Sequence, residues 1–434
     1  MTNWKHIAGG VVALAVLGAG GWAYAKLNTA RSAVADDRVA LADVKNPEPA
    51  AIARGEYVMR TGDCVACHTA GKGPFAGGHE IATPFGTLLS SNITPDRRTG
   101  IGAMTEREFF DAMRHGQGSK GFLYPAMPYT AYAKLTDQDM HDLWAYMATV
   151  EPVENPVNEN GGMRFPFNVR LAMAGWNLLF FDNSGFEETA GQSPQWQRGK
   201  YLVDGGTHCS VCHSPRNLLG AEVASRYLQG GNLGFWYAPD LTGNPHAGQG
   251  KTPAESLVEY LKTGGKTSLA SGPMAEAVEH SFQYLTDADL RAIAVYLKTL
   301  PASGVTRPAP LPAESPAMQR GALRYEVNCS ACHGVAGEGM GNVAPAFAGN
   351  PALQSDDATN PIHLMLVGGR AAATHDKPTG AGMPSFAWKM DDRQIAETLD
   401  YIRNTWGNAA RPVDPAEVAR LRERLGAGKN LPAN

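Results

Sequence analysis

All six cysteines of this 434-residue chain belong to one short pattern that occurs three times. In each copy two cysteines lie three positions apart and a histidine follows the second. The copies are Cys64, Cys67 and His68; Cys209, Cys212 and His213; and Cys329, Cys332 and His333. Two thiols followed at once by an imidazole form the attachment pattern of c-type haem. We therefore predict three covalently bound haem c groups, each with the histidine of its motif as an iron ligand.

Other uses of paired cysteines fit the sequence less well. A structural zinc site needs two such pairs to converge on each metal, and three pairs is the wrong number. A redox pair of the thioredoxin kind follows a strand in an α/β pattern, which does not surround these motifs. Structural disulfides would not explain the regular spacing.

The second axial position of each iron has a candidate ligand in a methionine beside a proline. These methionines follow the motif histidines by 59, 61 and 50 residues, and they are Met127, Met274 and Met383. A single loop methionine more often fills space in an apolar core than binds a metal. Three methionines at equivalent positions favour a role as iron ligands. A bound thioether closes the iron to substrates and raises its potential, so we predict electron transfer and no catalytic residues.

A ligating histidine normally donates its other ring N–H to a carbonyl, which fixes the tautomer. The candidate acceptors are the backbone carbonyls of Pro84, Pro239 and Pro345, each in a loop after a haem motif. The remaining histidines, including His363, share no position among the three copies. We expect those to be structural or solvated.

Three helical segments recur around each motif, which predicts a mainly α chain of three tandem repeats. Repeat 1 spans residues 48–150, repeat 2 spans 192–300 and repeat 3 spans 314–408. The first helix precedes the cysteines and carries an Arg-Gly pair. The second helix ends at a glycine, and its predicted starts are Thr105, Thr252 and Asn360. The third has a tyrosine ten residues past its cap, and the predicted caps are Thr136, Thr286 and Asp391.

The segments outside the repeats differ in character. Residues 151–191 form a linker with an apolar helix, which either packs between domains or docks on a partner or a membrane surface. Residues 301–313 form a proline-rich linker, and residues 409–434 form a charged tail with a short helix after Asp414.

The first thirty residues form a membrane anchor or signal segment. Residues 7–25 are apolar and uncharged, which is close to the roughly 20 residues that a membrane helix needs. A retained anchor fits the length of this run. A cleaved export signal is the alternative, since Ala23-Tyr24-Ala25 resembles a cleavage site. Either interpretation places the rest of the chain outside the cytoplasm.

Composition excludes some function classes. The chain is 43% hydrophobic and 18% charged, with a formal net charge of −4. These values are typical of a folded globular protein, and they argue against nucleic-acid binding, which needs a basic surface.

Specific stretches resemble a known family, the three-haem cytochrome c subunits of bacterial membrane-bound dehydrogenases that oxidise alcohols, aldehydes and gluconate. The similarity rests on TPFGTLLSSNITPD and LYPAMPY in repeat 1, QRGKYLVDGGTHCSVCHSPRNLLGA in repeat 2, and CSACHGVAGEGMGNVAPAFAGNP in repeat 3. It implies a mainly α fold of three tandem class I-like cytochrome c domains after an N-terminal membrane helix.

The resemblance also implies partners. A catalytic dehydrogenase subunit, carrying flavin, pyrroloquinoline quinone or a molybdenum cofactor, would pass electrons to the haems, and a small extra subunit could accompany it. The acceptor would be ubiquinone or a terminal oxidase, on the periplasmic side of the bacterial inner membrane. A respiratory oxidase subunit, a freestanding electron shuttle and a haem enzyme such as a peroxidase stay open as alternatives.

Overall fold

The structure, a computed structural model, describes residues 35–427. Within them the chain forms two compact units. Unit 1 contains residues 35–59 and 64–187, and unit 2 contains residues 60–63 and 188–427. The expected membrane segment at residues 7–25 lies outside the described residues. Among residues 35–427, no helix is both long and apolar enough to cross a bilayer.

Helices make up most of the regular secondary structure among the described residues. The three long helices of repeat 1 are Pro49–Thr61, Glu106–His115 and Asp137–Met147; those of repeat 2 are Pro194–Tyr201, Ala254–Thr263 and Asp287–Lys298; those of repeat 3 are Pro316–Asn328, Thr359–Val367 and Asp392–Asn404. One-turn helices carry the haem motifs at Cys64–His68, Cys209–His213 and Ser330–His333. The other helices are Tyr129–Tyr132, Ala172–Phe180, Pro273–His280 and Pro415–Leu425.

The strands are short and pair only with antiparallel neighbours. In unit 1, Glu80–Thr83 pairs with Gly86–Leu89, which also pairs with Gly162–Met163; Gln117–Gly118 pairs with Gly121–Phe122. In unit 2, Gln229–Asn232 pairs with Tyr237–Asp240, and Gly369–Arg370 pairs with Gly382–Met383.

Helix starts follow the predicted caps in most cases. Thr105 and Glu108 form a reciprocal capping box, and Thr136, Thr286 and Asp391 each accept a hydrogen bond from the backbone three residues on. The start at Thr252 is wrong, because Pro253 has extended backbone angles and the helix begins at Ala254. The start at Asn360 is also wrong, since the helix begins at Thr359 and the Asn360 amide bonds the Tyr237 backbone instead.

The first and third helices of each repeat cross at the glycine of the Arg-Gly pair. A Cβ added at this glycine would collide with a backbone oxygen of the third helix and come within 2.8–2.9 Å of a tyrosine Cβ. The glycines are Gly55, Gly199 and Gly321, and the tyrosines are Tyr146, Tyr296 and Tyr401. Glycine is therefore needed for close approach of two helices, and the recurring tyrosine marks the other side of that contact.

The arginine before each of these glycines binds an acid on the third helix. Arg54 binds Asp142 with hydrogen bonds of 2.7 and 2.9 Å, and Arg198 binds Asp289 with bonds of 2.8 and 2.7 Å. In repeat 3, Glu397 accepts from Arg320 and also from Arg324 and Arg393. Each repeat therefore closes with a charged clamp beside a tight helix crossing.

The apolar linker helix Ala172–Phe180 packs within unit 1 by one face. Its buried Asn177 accepts a 2.6 Å hydrogen bond from the Tyr129 hydroxyl, and Phe181 contacts the Tyr129 ring edge-on at 5.1 Å. Leu171 and Leu179 point outward, 73% and 70% exposed. Packing within unit 1 accounts for the apolar residues on the inner face of this helix. Docking of its outer face on a partner or a membrane surface stays a prediction.

Candidate functional site

Each haem-motif histidine is held by a backbone carbonyl. His68 Nδ1 donates to the Ser91 carbonyl at 2.7 Å, and His213 Nδ1 donates to the Pro239 carbonyl at 2.7 Å. His333 Nδ1 donates to the Pro345 carbonyl at 3.0 Å. Burial lowers the pKa of all three imidazoles below the usual value, so they are neutral. A neutral imidazole that donates through Nδ1 keeps Nε2 as a lone-pair donor for a metal.

Two of the three predicted acceptors are confirmed. Pro239 and Pro345 accept the histidine N–H as expected, but the choice of Pro84 is wrong. Pro84 lies in the turn between the strands Glu80–Thr83 and Gly86–Leu89, whereas the acceptor Ser91 follows the second strand.

A local turn motif in the sequence identifies the correct acceptor. Ser91 precedes Asn92, whose side chain accepts from the Thr94 backbone at 2.9 Å. Pro239 likewise precedes Asp240, whose side chain accepts from the Thr242 backbone at 2.7 Å. In repeats 1 and 2 the acceptor is thus the residue before an Asx-x-Thr turn, and this turn is the signal that identifies Ser91. In repeat 3 the acceptor Pro345 is followed by Ala346, so there the proline is the signal.

The cysteines suit covalent attachment. None of the six cysteines is in a disulfide, and in the first two motifs the spacing of three places both cysteines on one side of a helical turn. Burial raises the pKa of the Cys209 and Cys329 thiols to about 11. Within residues 35–427, no group of three or more His, Cys, Asp or Glu side chains could hold a metal ion. The donor set fits thioether-linked haem and not zinc.

The structure places the three methionines in different local settings. Met127 precedes the helix Tyr129–Tyr132 and packs against the cluster of Tyr129, Ala133 and Phe181. Met383 lies in a short strand, paired with Gly369. Met274 is the second residue of the helix Pro273–His280 and not a loop residue. All three are partly buried.

Repeat 3 shows how the predicted site residues come together. The His333 ring stacks on Phe347 with centroids 4.0 Å apart and planes 13° apart. Phe347, Cys329 and Met383 all belong to one apolar cluster of this repeat. An attachment cysteine, the histidine support and the candidate methionine therefore share a single core, as a haem enclosed by its own domain requires.

The chain belongs to the cytochrome c family. The sequence model described as "Cytochrome c" matches residues 52–151, 196–301 and 318–406, one match in each repeat. Covalent attachment of haem c follows from this membership, and the residues described above provide for it.

Relatives of similar length include cytochrome subunits of several dehydrogenases. The gluconate 2-dehydrogenase cytochrome c subunit of Pantoea cypripedii is 39% identical over 90% of this chain and 92% of the relative. The fructose dehydrogenase cytochrome subunit of Gluconobacter japonicus is 39% identical over 88% and 84%. The cytochrome c subunit of alcohol dehydrogenase (quinone) from Gluconacetobacter polyoxogenes is 37% identical over 88% and 86%.

Proposed function

We propose that this protein is the electron-transfer subunit of a periplasmic membrane-bound dehydrogenase and carries electrons through three c-type haems. The observation that carries the proposal is the threefold recurrence of one arrangement: a cysteine pair outside any disulfide and a histidine whose Nδ1 is fixed by a backbone carbonyl. The similarity to dehydrogenase cytochrome subunits over most of both chains supports the same conclusion.

The proposed attachment and ligation use the residues named from the sequence. Each cysteine pair would hold one haem covalently, and His68, His213 and His333 would bind the irons through Nε2. Met127, Met274 and Met383 would supply the second protein ligand of each iron. When bound, the haem supplies a one-electron couple between ferrous and ferric iron.

The residues around these positions prepare each site for electron transfer. The carbonyls of Ser91, Pro239 and Pro345 hold each imidazole in one orientation and tautomer, so the ring does not reorganise when the charge of its partner changes. Apolar side chains pack around Met383 and Cys329 in repeat 3, which limits the access of water on that side of the site. Excluding water limits the solvent reorganisation that accompanies a change of charge.

The proposed partners follow from the same family. A catalytic subunit with a flavin, pyrroloquinoline quinone or molybdenum cofactor supplies electrons, and ubiquinone or a terminal oxidase receives them. Residues 7–25 anchor the chain in the inner membrane with the repeats on the periplasmic side. If this is correct, a chain whose first thirty residues are replaced by a cleavable export signal loses its hold on the membrane.

Purification from the native host in mild detergent tests the function. We expect a dehydrogenase subunit to co-elute, and mass analysis to find three haems attached to the chain. Reduction of the haems by substrate should require that subunit. A chain that purifies without a dehydrogenase and exchanges electrons with an oxidase would instead favour the oxidase subunit or the freestanding shuttle.

Carbon monoxide binding distinguishes the relay from a haem enzyme. Irons closed on both faces should bind carbon monoxide slowly or not at all in the reduced protein. Fast binding to one reduced haem would indicate an open position, and the peroxidase-like alternative would then replace the relay.

A further inference from the structure

Within unit 2, repeats 2 and 3 are joined by a specific polar contact. The Asn360 side chain accepts a 2.8 Å hydrogen bond from the Tyr237 amide and donates a 2.7 Å bond to the Tyr237 carbonyl. These two hydrogen bonds resemble those that a neighbouring strand would make with Tyr237. They attach the helix Thr359–Val367 of repeat 3 to the strand Tyr237–Asp240 of repeat 2.

Two aromatic rings stack beside this contact. The Trp236 indole and the His363 imidazole have centroids 4.0 Å apart and planes tilted by 31°. His363 Nδ1 donates to the Phe235 carbonyl at 3.0 Å, which fixes the ring against the indole. His363 is 8% exposed, and burial lowers its pKa, so the stacked imidazole is neutral. His363 therefore has a structural role, one of the two roles expected from the sequence, although the sequence did not indicate Trp236 as its partner.

The indole also contacts the loop that leads to Met274. Gly272 has a φ of +55°, and a Cβ there would come within 2.5 Å of Trp236 Cζ2 and 2.6 Å of Cε2. Gly272 is the residue before the helix Pro273–His280, so the indole lies on the backbone two residues from Met274. Trp236 therefore lies between Gly272, which precedes the helix that contains Met274 in repeat 2, and His363 of repeat 3.

On the other side, His363 belongs to the helix that supports the Met383 loop. The Met365 carbonyl accepts from the Phe386 amide at 2.8 Å, and the Leu366 carbonyl accepts from the Ser385 hydroxyl at 2.6 Å. Met383 itself packs against the cluster that contains Ile362, Met365 and Leu366. The helix thus carries His363 at the interface and holds the Met383 loop on its own core.

A backbone connection joins the same two loops. Ser271 and Ala371 form an isolated antiparallel bridge, with the Ala372 amide donating to the Ala270 carbonyl at 3.2 Å. Ala371 directly follows the strand Gly369–Arg370, which pairs with Gly382–Met383. The two candidate methionine ligands of unit 2 are therefore linked both by hydrogen-bonded backbone and by the stacked rings.

We propose that the stacked Trp236 and His363 side chains form the route by which electrons pass between the haem sites of repeats 2 and 3. This inference rests on the proposed function. Electron tunnelling weakens steeply with every gap between non-bonded atoms, and two conjugated rings in contact shorten the gaps across this interface. One electron leaves a ferrous iron in one repeat, which becomes ferric, and reduces a ferric iron in the other. Neither ring is oxidised or reduced, and no proton moves.

The test compares matched variants of the full haem-loaded chain. Trp236→Phe keeps a ring, and Trp236→Leu removes it. His363→Phe keeps a ring without the hydrogen bond, and His363→Asn keeps a donor near the Nδ1 position without the ring. Asn360→Ala removes the neighbouring polar contact and leaves both rings.

The readout is the rate of electron redistribution after partial reduction by a light pulse. A background with Cys64→Ala and Cys67→Ala leaves the haem sites of repeats 2 and 3 as the only redox pair. The same series in the unaltered chain provides a second measurement if that background folds poorly. Haem content, absorption spectra, midpoint potentials and melting temperature are recorded for each variant.

We expect Trp236→Leu and His363→Asn to slow the exchange by at least about tenfold, because the gaps between non-bonded atoms across the interface become longer. Haem content and potentials should not change. Both Phe variants and Asn360→Ala should stay within about threefold of the parent rate.

Three results would overturn the inference. One is an unchanged rate in Trp236→Leu; another is a rate in His363→Phe as low as in His363→Asn; the third is equal slowing by Asn360→Ala, which would assign the effect to interface rigidity. A chain that binds fewer than three haems contradicts the proposed function itself, so the two failures are distinguishable.

Discussion

The Arg54 guanidinium grips the Asp142 carboxylate with two hydrogen bonds, although Arg54 is half exposed and Asp142 is only 1% exposed. The adjacent Gly55 lies against the backbone of Asp142 itself. In repeat 1 the ion pair and the closest approach of the first and third helices therefore lie at the same place. Equivalent ion pairs occur in the other two repeats. The stability of each repeat should depend strongly on this crossing.

The glycine at the crossing should not tolerate a methyl group. Gly55→Ala should destabilise unit 1 by about 1–3 kcal/mol, because the added Cβ collides with backbone that has no room to move. Thermal and urea unfolding would measure the loss. Gly175→Ala is the matched control, since Gly175 is helical with nothing within 4 Å of an added Cβ. That variant should be neutral or more stable by up to about 1 kcal/mol. Equal losses at both positions would contradict the prediction.

The two sides of the charged clamp should be energetically coupled, so removing both should cost less than the sum of the two single losses. Arg54→Ala leaves the buried Asp142 carboxylate without its cation, which should destabilise unit 1 by about 1–3 kcal/mol. A double-mutant cycle with Asp142→Ala should show a favourable coupling energy of about 0.5–2 kcal/mol. Additive losses in urea unfolding would show that the pair contributes no coupling.

Repeat 3 should lose stability in acid through Glu397. Hydrogen bonds from Arg320, and then from Arg393 and Arg324, hold the pKa of Glu397 at about 2, below the usual 4.5. Because the folded-state value is the lower one, the charged carboxylate stabilises the fold above about pH 4.5, and this contribution is lost as the pH falls towards about 2. Glu397→Gln should therefore cost about 1–2 kcal/mol at neutral pH and progressively less in acid.

Urea unfolding across this pH range compares the variant with the parent chain. Glu314→Gln, at an exposed residue outside the clamp, serves as the control and should follow the parent curve at every pH. A Glu397→Gln curve that runs parallel to the parent would show that the low pKa is not linked to folding.

Replacing one candidate ligand should alter one haem and leave the others. Met383→Leu keeps the side-chain volume but removes the sulfur, so about one third of the haem signal should show a changed spin or ligand state. Met390→Leu is the control, because Met390 is 4% exposed in the same core. Visible and electron paramagnetic resonance spectra would check both variants. An unchanged spectrum in Met383→Leu would refute this ligand assignment.

Local sequence signals account for much of the fold. Cap residues such as Thr136 and Asp391 act within three residues, so they could be identified without knowing any tertiary contact. The haem motifs are equally local. The Arg-Gly pair is visible in the sequence as a repeated signature, but the acids that bind its arginine are not. Asp289 lies one turn earlier on the third helix of its repeat than Asp142 and Glu397 do on theirs, so the three acids share no common position.

Contacts between distant residues were beyond the sequence argument. Trp236 and His363 are 127 positions apart in the sequence, and nothing in either neighbourhood indicates that the rings stack. The histidine acceptor in repeat 1 was misplaced because a proline was taken as the marker, although the Asx-x-Thr turn sets the path of the chain. Local sequence patterns indicate the helices and turns, whereas tertiary packing determines which distant residues come into contact.

Each of the three repeats contains a similar pair of helices. During synthesis the first helix of one repeat can therefore pack wrongly against the third helix of another repeat. The clamps differ between the repeats. Repeat 2 places its carboxylate one turn from where repeats 1 and 3 place theirs, and repeat 3 surrounds a longer acid with three cations. A first helix paired with the third helix of another repeat would therefore meet a carboxylate at a different position, of a different length, or both.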